Sequence, residues 1–97
     1  MKSLDVLTEL EETIIARLAD ANPSSSYTAR LAAAGVSRVA QKVGEEGVEV
    51  AIAAASGASD EELIAESADL LYHLTVLLAV RGLSLTDVAR VLAARQA

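Results

Sequence analysis

The joint between two long helical segments is the feature that most constrains how this chain folds. Apolar residues recur at helical spacing over residues 36–56 and again over residues 60–81, and only Gly57, Ala58 and Ser59 separate the two segments. So short a joint forces the second helix to run back along the first. Ser59, followed directly by three acidic residues, is also a favourable N-cap for the second helix. The sequence therefore predicts an antiparallel helical hairpin.

The rest of the chain also has helical patterns. We expect an amphipathic helix over residues 4–20, a short helix over residues 28–34 that ends at Gly35, and a last helix over residues 84–95. Ser84, with Asp87 three residues later, is expected to cap that last helix. Aromatic residues make up only 2% of the chain, which disfavours an all-β or doubly wound fold. The expected fold is all-α, with residues 1–97 forming a single domain.

The segment over residues 60–81 is apolar on nearly every side, so we expect it to be largely buried. The few other helices of a chain of 97 residues cannot cover it completely. The sequence therefore predicts a homodimer, in which the hairpin becomes part of a four-helix-type bundle that dimerisation completes.

Charge and composition exclude several classes of function. Eight basic residues against 14 acidic ones give a net charge of -6, which repels phosphate polymers, so we expect no nucleic acid partner. The chain has no cysteine, and residues 1–5 lack the apolar core of a signal peptide. The longest apolar run, residues 74–80, is far shorter than the ~20 residues that cross a bilayer. We expect a cytoplasmic protein without a membrane-spanning segment.

Acidic residues cluster on one face of each hairpin helix. At about 100° per residue, Glu45, Glu46 and Glu49 share a face with Lys42 on the first helix. On the second helix, Glu66 and Asp69 lie on an apolar stripe. In an antiparallel hairpin, residues equally far from the turn face one another, which pairs Glu49 with Glu66 and Glu46 with Asp69. The sequence therefore predicts that four carboxylates meet in one patch.

Four like charges so close together repel one another or take up protons unless a hard cation lies among them. Oxygen ligands favour Mg²⁺ or Mn²⁺ over zinc. We therefore predict a metal site that uses Glu46, Glu49, Glu66 and Asp69; a solvated acidic surface is the alternative. A carboxylate-held Mg²⁺ normally meets its substrate through phosphate oxygens, which indicates phosphoryl chemistry.

Several residues before the acids are candidates for binding a phosphorylated substrate. Lys42, Arg30 and Arg38 could hold phosphates, although each alone could be an ordinary surface residue. Tyr27 could stack on a base or simply pack. His73, the only histidine, could donate to a carboxylate, but a satisfied core histidine is the favoured interpretation. The serine-rich stretch over residues 22–26 is either a connector or a loop that offers hydroxyls to an anion.

Four segments of the chain resemble the phosphoribosyl-ATP pyrophosphohydrolase family. They are residues 26–31 (Ser-Tyr-Thr-Ala-Arg-Leu), residues 41–49, which carry the first acids, residues 66–74, which end in Leu-Leu-Tyr-His-Leu, and residues 81–85. The resemblance extends from residue 4 to about residue 92. The acid pattern alone is shared by all MazG-type nucleotide pyrophosphohydrolases, whereas the Ser-Tyr-Thr-Ala and Leu-Leu-Tyr-His segments point to this family.

The resemblance implies an all-α dimeric enzyme that uses Mg²⁺ to hydrolyse phosphoribosyl-ATP to phosphoribosyl-AMP and pyrophosphate, the second step of histidine biosynthesis. By position, it makes Glu46, Glu49, Glu66 and Asp69 metal ligands. It makes Glu45 and Glu46 candidate catalytic residues, with Glu45 as the base or water-orienting group. The positions implied to bind substrate are Lys42, Arg30, Arg38, Tyr27 and Thr28.

Two alternatives remain open. Within the same chemistry, the chain could be a house-cleaning enzyme that cleaves damaged or surplus nucleoside triphosphates to release pyrophosphate. In a different class, it could be a non-enzymatic helical dimerisation module whose acids are only a solvated face. For either enzyme we expect water to attack the α-phosphorus, so that pyrophosphate leaves as one unit.

Overall fold

The computed structural model describes residues 4–20, 22–24 and 26–97, and contains five helices and no strand within these ranges. The helices are α1 (Asp5–Asp20), α2 (Tyr27–Ala33), α3 (Val36–Ala55), α4 (Asp60–Val80) and α5 (Leu85–Gln96). Every helix end lies within one residue of its predicted position. The all-α class is confirmed. Residues 1–3, part of the stretch in which we expect no signal peptide, lie outside the described ranges, as does Ser25.

Helices α3 and α4 form the predicted antiparallel hairpin and make the most extensive helix–helix contact in the chain. Gly57, at φ +76°, ends α3 in the left-handed conformation, and the amide of Ala58 donates to the carbonyl of Ala53 at 3.1 Å. The Ser59 hydroxyl then caps α4 by accepting a hydrogen bond from the Glu62 amide at 3.1 Å. Because both helix ends satisfy their own polar groups, the turn needs only a few residues.

The core lies at the end of the hairpin that is farthest from the turn. Its apolar cluster takes one buried side chain from each of four helices, namely Ile14 of α1, Leu31 of α2, Val39 of α3 and Val76 of α4. Val39 and Val76 are equally distant from the turn, as are Glu46 and Asp69, seven residues nearer to it. At ~1.5 Å per residue the acidic patch therefore lies about 10 Å from the core along the hairpin.

The prediction that α4 is largely buried is wrong for a single chain. Only His73, Thr75 and Val76 of this helix are buried, whereas the side chains of Ile64 and Leu71 are 68% and 42% exposed. The physical reason is that α1, α2 and α3 cannot surround the whole circumference of a helix of 21 residues. Much of its apolar surface thus faces outward.

Helix α4 is also the one helix in the described ranges that is long and apolar enough to cross a membrane, judged by length and composition alone. The core helix of a soluble protein passes the same test, and α4 contacts three other helices. The finding is weak evidence in either direction. The expectation of no membrane-spanning segment therefore stays a prediction.

Helix α5 has no buried residue, and polar contacts form at its first turn. The predicted capping box is present: the Asp87 amide donates to the Ser84 hydroxyl at 3.3 Å, and the Ser84 amide donates to the Asp87 carboxylate at 2.9 Å. From α1, the Glu11 carboxylate accepts a hydrogen bond from the Leu85 amide at 2.7 Å. Two carboxylates therefore hold the start of α5 in place.

Candidate metal and nucleotide site

Three carboxylates from the two hairpin helices converge on one point. Glu46 of α3 and Glu66 and Asp69 of α4 each offer an oxygen atom, and the three oxygen atoms lie within 4.8 Å of one another. Glu46 and Glu66 are half-buried and Asp69 is exposed, so the cluster opens to solvent on one side. The register of the hairpin, set by its short turn, brings these residues together.

Glu49, the fourth acid of the predicted patch, lies next to Glu66 but is not one of the three residues whose oxygen atoms converge. Partial burial raises the pKa of Glu66 above its ordinary value, and the negative charges of Glu49, Asp69 and Glu46 raise it further. A hydrogen bond with Glu49 acts in the same direction. The carboxylates of this patch therefore oppose one another's ionisation.

The donor set fits a hard divalent cation. Carboxylate oxygens at the mouth of an open site, without nitrogen or sulfur ligands among them, are the ligands that Mg²⁺ and Mn²⁺ prefer. A divalent cation would also neutralise the repulsion that raises the pKa of Glu66. The residues present can hold such an ion, with Glu46, Glu66 and Asp69 as direct ligands and Glu49 beside them.

Lys42 forms the basic rim of the cluster. Its ammonium group lies 3.6 Å from Glu46 and 3.5 Å from Glu45. Burial alone would lower the pKa of Lys42, but the hydrogen bond to Glu45, together with the charges of Tyr27, Glu45 and Glu46, raises it above its ordinary value. Lys42 is therefore a cation throughout the neutral pH range, held beside the acids.

Glu45 points to the same rim and is half exposed. Gln41, one turn earlier, donates a hydrogen bond to its carboxylate at 3.0 Å and lowers the pKa of Glu45, an effect that the charges of Lys42 and Arg38 reinforce and partial burial opposes. Sequence reasoning missed Gln41, although its spacing of four residues from Glu45 is a known signal for such a pair. Glu45 is thus ionised at neutral pH.

Of the remaining predicted substrate-binding residues, Arg38 is exposed on α3, and the other three lie on α2. Tyr27 is 42% exposed, and the guanidinium carbon of Arg30 lies 5.9 Å from the centre of its ring. Arg30 also donates to the carbonyl of Pro23 at 3.3 Å. Thr28, by contrast, is buried, and its hydroxyl is hydrogen-bonded to that of Tyr72. Tyr27 and Arg30 therefore face outward, whereas Thr28 joins α2 to α4.

His73 is buried and bonded at both ring nitrogens, which matches the favoured interpretation of a satisfied core histidine. Its Nδ1 atom lies 2.7 Å from the main-chain oxygen of Asp69, and its Nε2 atom lies 3.0 Å from the Tyr27 hydroxyl. Among the described residues, neither ring nitrogen is bonded to a carboxylate, which does not support the alternative of a carboxylate donor. Sequence reasoning did not foresee the bond to Tyr27, because these residues are 46 positions apart.

The serine-rich stretch has a structural role at its end. The Ser26 hydroxyl is buried and caps α2 by accepting a hydrogen bond from the Ala29 amide at 2.9 Å. Ser24 bonds to the side chain of Asn22 through both its amide and its hydroxyl. These hydroxyls are therefore used within the chain, which favours the connector interpretation over an anion-binding loop.

Comparison with known proteins agrees with the geometry. The family model described as phosphoribosyl-ATP pyrophosphohydrolase matches residues 7–96. A phosphoribosyl-ATP pyrophosphatase from Pyrobaculum calidifontis is 53% identical over 93 residues, which cover 96% of this chain and 97% of that protein. One from Erythrobacter litoralis is 55% identical over 85 residues, covering 88% of this chain and 80% of that protein.

Some relatives are longer. The histidine biosynthesis bifunctional protein HisIE of Vibrio cholerae is 62% identical over 77 residues, which cover 79% of this chain but only 36% of that protein. In the relative of the same name from Photobacterium profundum, the matched part is 44% of the protein. The chain therefore spans less than half the length of these bifunctional relatives. The match over residues 7–96 and the near full-length similarity to single-function relatives show that this chain belongs to the phosphoribosyl-ATP pyrophosphohydrolase family.

Proposed function

We propose that the protein hydrolyses phosphoribosyl-ATP to phosphoribosyl-AMP and pyrophosphate in histidine biosynthesis. Membership of the family supports this activity, as do the printed names of relatives that match nearly the whole chain. The structural observation that carries the proposal is the convergence of Glu46, Glu66 and Asp69, whose oxygen atoms lie within 4.8 Å of one another beside Lys42.

The cofactor is Mg²⁺, with Mn²⁺ as a substitute, held by Glu46, Glu66 and Asp69 with Glu49 alongside. When bound, such an ion offsets the charge of the phosphate oxygens and lowers the pKa of nearby water. The raised pKa of Glu66 supports this assignment, because it reflects partial burial and, after that, the negative charges of Glu49, Asp69 and Glu46, which a bound cation would offset.

The chain's own residues divide the remaining work. Lys42, together with Arg38 and Arg30 at a greater distance, binds the phosphate oxygens and offsets their charge. Glu45, ionised at neutral pH, accepts a hydrogen bond from the attacking water and orients it. The water oxygen forms a bond to the α-phosphorus and gives up a proton to Glu45 or a neighbouring acid, as the bond from that phosphorus to the bridging oxygen breaks and pyrophosphate leaves. Tyr27 faces the nucleotide, while binding by Thr28 stays a prediction.

A substrate panel tests the proposed reaction. We expect pyrophosphate release from phosphoribosyl-ATP, with much lower rates for ordinary nucleoside triphosphates, and dependence on Mg²⁺. Comparable rates for all triphosphates would instead indicate the house-cleaning enzyme, and no hydrolysis with any metal would indicate the dimerisation module. In ¹⁸O-labelled water the label should enter phosphoribosyl-AMP; label in pyrophosphate would place the attack at the β-phosphorus.

The Glu49→Gln variant tests the metal assignment. It should lose activity and Mg²⁺ affinity while its helical circular dichroism is unchanged, because only one charge is removed from an exposed helix face. Glu61→Gln is the matched control: Glu61 is also exposed, in the first turn of α4 near the hairpin turn, and this variant should keep both properties. Unchanged Mg²⁺ binding in Glu49→Gln, measured by calorimetry, would show that Glu49 is not part of the metal site.

The protein is further proposed to be a soluble cytoplasmic homodimer. Large apolar side chains of both hairpin helices face outward in the single chain, with Val48 and Ile52 58% and 59% exposed on α3 and Ile64 68% exposed on α4. A second copy would cover this surface. Sedimentation equilibrium should give twice the chain mass, and Val48→Glu should shift it toward the monomer, whereas Val6→Glu, on exposed α1, should not. A monomeric unsubstituted protein at micromolar concentration would contradict the dimer.

A further inference from the structure

His73 connects the main chain of the acidic cluster to the first residue of α2. Its Nδ1 atom lies 2.7 Å from the Asp69 carbonyl oxygen, and a carbonyl oxygen only accepts hydrogen bonds, so Nδ1 carries a proton. In the neutral imidazole the other nitrogen, Nε2, is then an acceptor. The Tyr27 hydroxyl, 3.0 Å away, therefore donates its single hydrogen to Nε2.

This bonding pattern fixes the direction of the Tyr27 hydroxyl. With its hydrogen committed to His73, the phenolic oxygen can offer only lone pairs to any further partner. Tyr27 is 42% exposed, the guanidinium carbon of Arg30 lies 5.9 Å from the centre of its ring, and Tyr27 is near enough to Lys42 to influence the pKa of that lysine. Tyr27 thus presents a hydrogen-bond acceptor at the basic rim of the site.

Aromatic contacts hold the imidazole in this orientation. The ring of Tyr72 lies 5.1 Å from that of His73 and perpendicular to it, and the ring of Tyr27 meets His73 edge-on at 5.9 Å. Tyr27 and Tyr72 are themselves stacked, with ring centres 6.1 Å apart. His73 is 7% exposed, so water does not compete for its nitrogens. Nothing in the proposed reaction uses this buried group directly.

We propose that His73 is a positioning residue that orients the Tyr27 hydroxyl as the acceptor for a donor group of the nucleotide, either the adenine amino group or a ribose hydroxyl. The inference rests on the proposed nucleotide substrate. It assigns His73 an effect on substrate affinity that acts through Tyr27 and not through the carboxylates, because the hydrogen bond between the imidazole and Asp69 is made to the main-chain oxygen.

A second bond across the same helix pair supplies a matched control. The Thr28 hydroxyl is hydrogen-bonded to that of Tyr72, also joining α2 to α4, but Thr28 is only 6% exposed, whereas Tyr27 is 42% exposed. Tyr72→Phe therefore removes one phenolic hydroxyl from the α2–α4 contact without touching the exposed rim. Tyr27→Phe removes the other.

Kinetics with phosphoribosyl-ATP separate positioning from packing. Tyr27→Phe should raise KM about three- to tenfold, as expected for one lost hydrogen bond, and leave kcat within about twofold. His73→Asn, whose short amide cannot reach Tyr27, should do the same, and the double variant should be no worse than either. His73→Gln, whose amide oxygen takes the place of Nε2, should restore KM. The contact is only structural if Tyr72→Phe raises KM as much as Tyr27→Phe does. It is also only structural if the His73→Gln variant is folded but does not restore KM.

Two further measurements do not depend on turnover. Because the chain has one histidine, its ¹⁵N signals report this ring alone, and at pH 8.5 they should show the proton on Nδ1. A proton on Nε2 would overturn the proposal. AMP affinity, measured by calorimetry, should fall about three- to tenfold in Tyr27→Phe. This loss should disappear with inosine monophosphate if the amino group is the donor, or with 2′,3′-dideoxy-AMP if a ribose hydroxyl is.

A loss that persists with both analogues would contradict the acceptor role of Tyr27. Absence of phosphoribosyl-ATP hydrolysis in the unsubstituted protein would count against the proposed function, while the imidazole signals and AMP affinities would still decide the role of His73. The two ideas can therefore fail separately.

Discussion

Carboxylates occur in two contrasting settings in this molecule. At the start of α5, Glu11 and Asp87 each accept a hydrogen bond from a main-chain amide, at 2.7 Å and 2.9 Å. On the hairpin, Glu46, Glu66 and Asp69 point toward one another, and Lys42 is the cation paired with the cluster within the described residues. The same chemical group is satisfied by the fold in one region and is opposed by its neighbours in the other.

The difference separates acids that serve the fold from acids that serve a ligand. A carboxylate that accepts main-chain amides at a helix N-terminus stabilises that helix. A carboxylate whose neighbours raise its pKa, as at Glu66, destabilises the fold when ionised. Matched substitutions in the two regions separate these two roles.

The largest effect is expected on activity. Asp69→Asn keeps the shape of the side chain but removes a charge from the cluster, and kcat should fall at least a thousandfold, about 4 kcal/mol in the barrier. Asp87→Asn, the same change in the other setting, should leave kcat within about twofold. Steady-state rates of pyrophosphate release measure both. Equal losses in the two variants would remove the contrast between the regions.

Cation binding should produce the next largest effect. At a Mn²⁺ concentration one hundred times its dissociation constant, a ligand that binds only the folded state adds about 2.7 kcal/mol. For a domain of this size the unfolding midpoint should rise by at least about 10 °C. Glu66→Gln should lose most of that rise, and Glu61→Gln should keep it. Thermal denaturation followed by circular dichroism measures the midpoint of each protein with Mn²⁺ and in Ca²⁺-free buffer with EDTA, and the difference between the two midpoints is the rise.

A smaller effect on stability is expected at α5. Glu11→Ala removes the acceptor of the Leu85 amide and should lower the free energy of unfolding by about 1 kcal/mol, or the midpoint by about 4–8 °C. Glu12→Ala is the control, since the neighbouring Glu12 is exposed and has no hydrogen bond to α5 in the part of the chain that the structure describes. Differential scanning calorimetry measures both. Identical midpoints for the two variants would show that the Glu11 bond adds nothing to the attachment of α5.

The smallest effect concerns pH in the absence of metal. The folded pKa of Glu66 lies above its unfolded value, so its ionised form destabilises the protein above the folded pKa, and this penalty vanishes as pH falls below the unfolded pKa of about 4.5. Glu66→Gln in EDTA should therefore be more stable than the unsubstituted protein at pH 8. The difference should shrink as pH falls toward 4.5. Urea unfolding at several pH values tests this, and a difference that grows on acidification would contradict it.

Local signals in the sequence were sufficient to predict the helices and the acidic patch. Helix ends follow from capping residues such as Ser59 and Ser84, and these act over one turn. The meeting of Glu46 with Asp69 follows from a short turn and the constant rise of a helix, which fix the register of a hairpin without knowledge of the rest of the fold. The family resemblance added the expected reaction, and the comparisons confirm the family.

Packing between distant segments decided the rest. The exposure of Ile64 and the burial of Thr28 depend on where α1 and α2 lie against α4, which no helical period specifies. The bond between Tyr27 and His73 joins residues 46 positions apart, and the attachment of α5 depends on Glu11, 74 positions before Leu85. Spacing along one helix is set by covalent geometry, whereas contacts between helices are set by competition among many apolar faces. The sequence by itself therefore determined the helices and the acidic patch, and only the tertiary structure decided which side chains surround that patch.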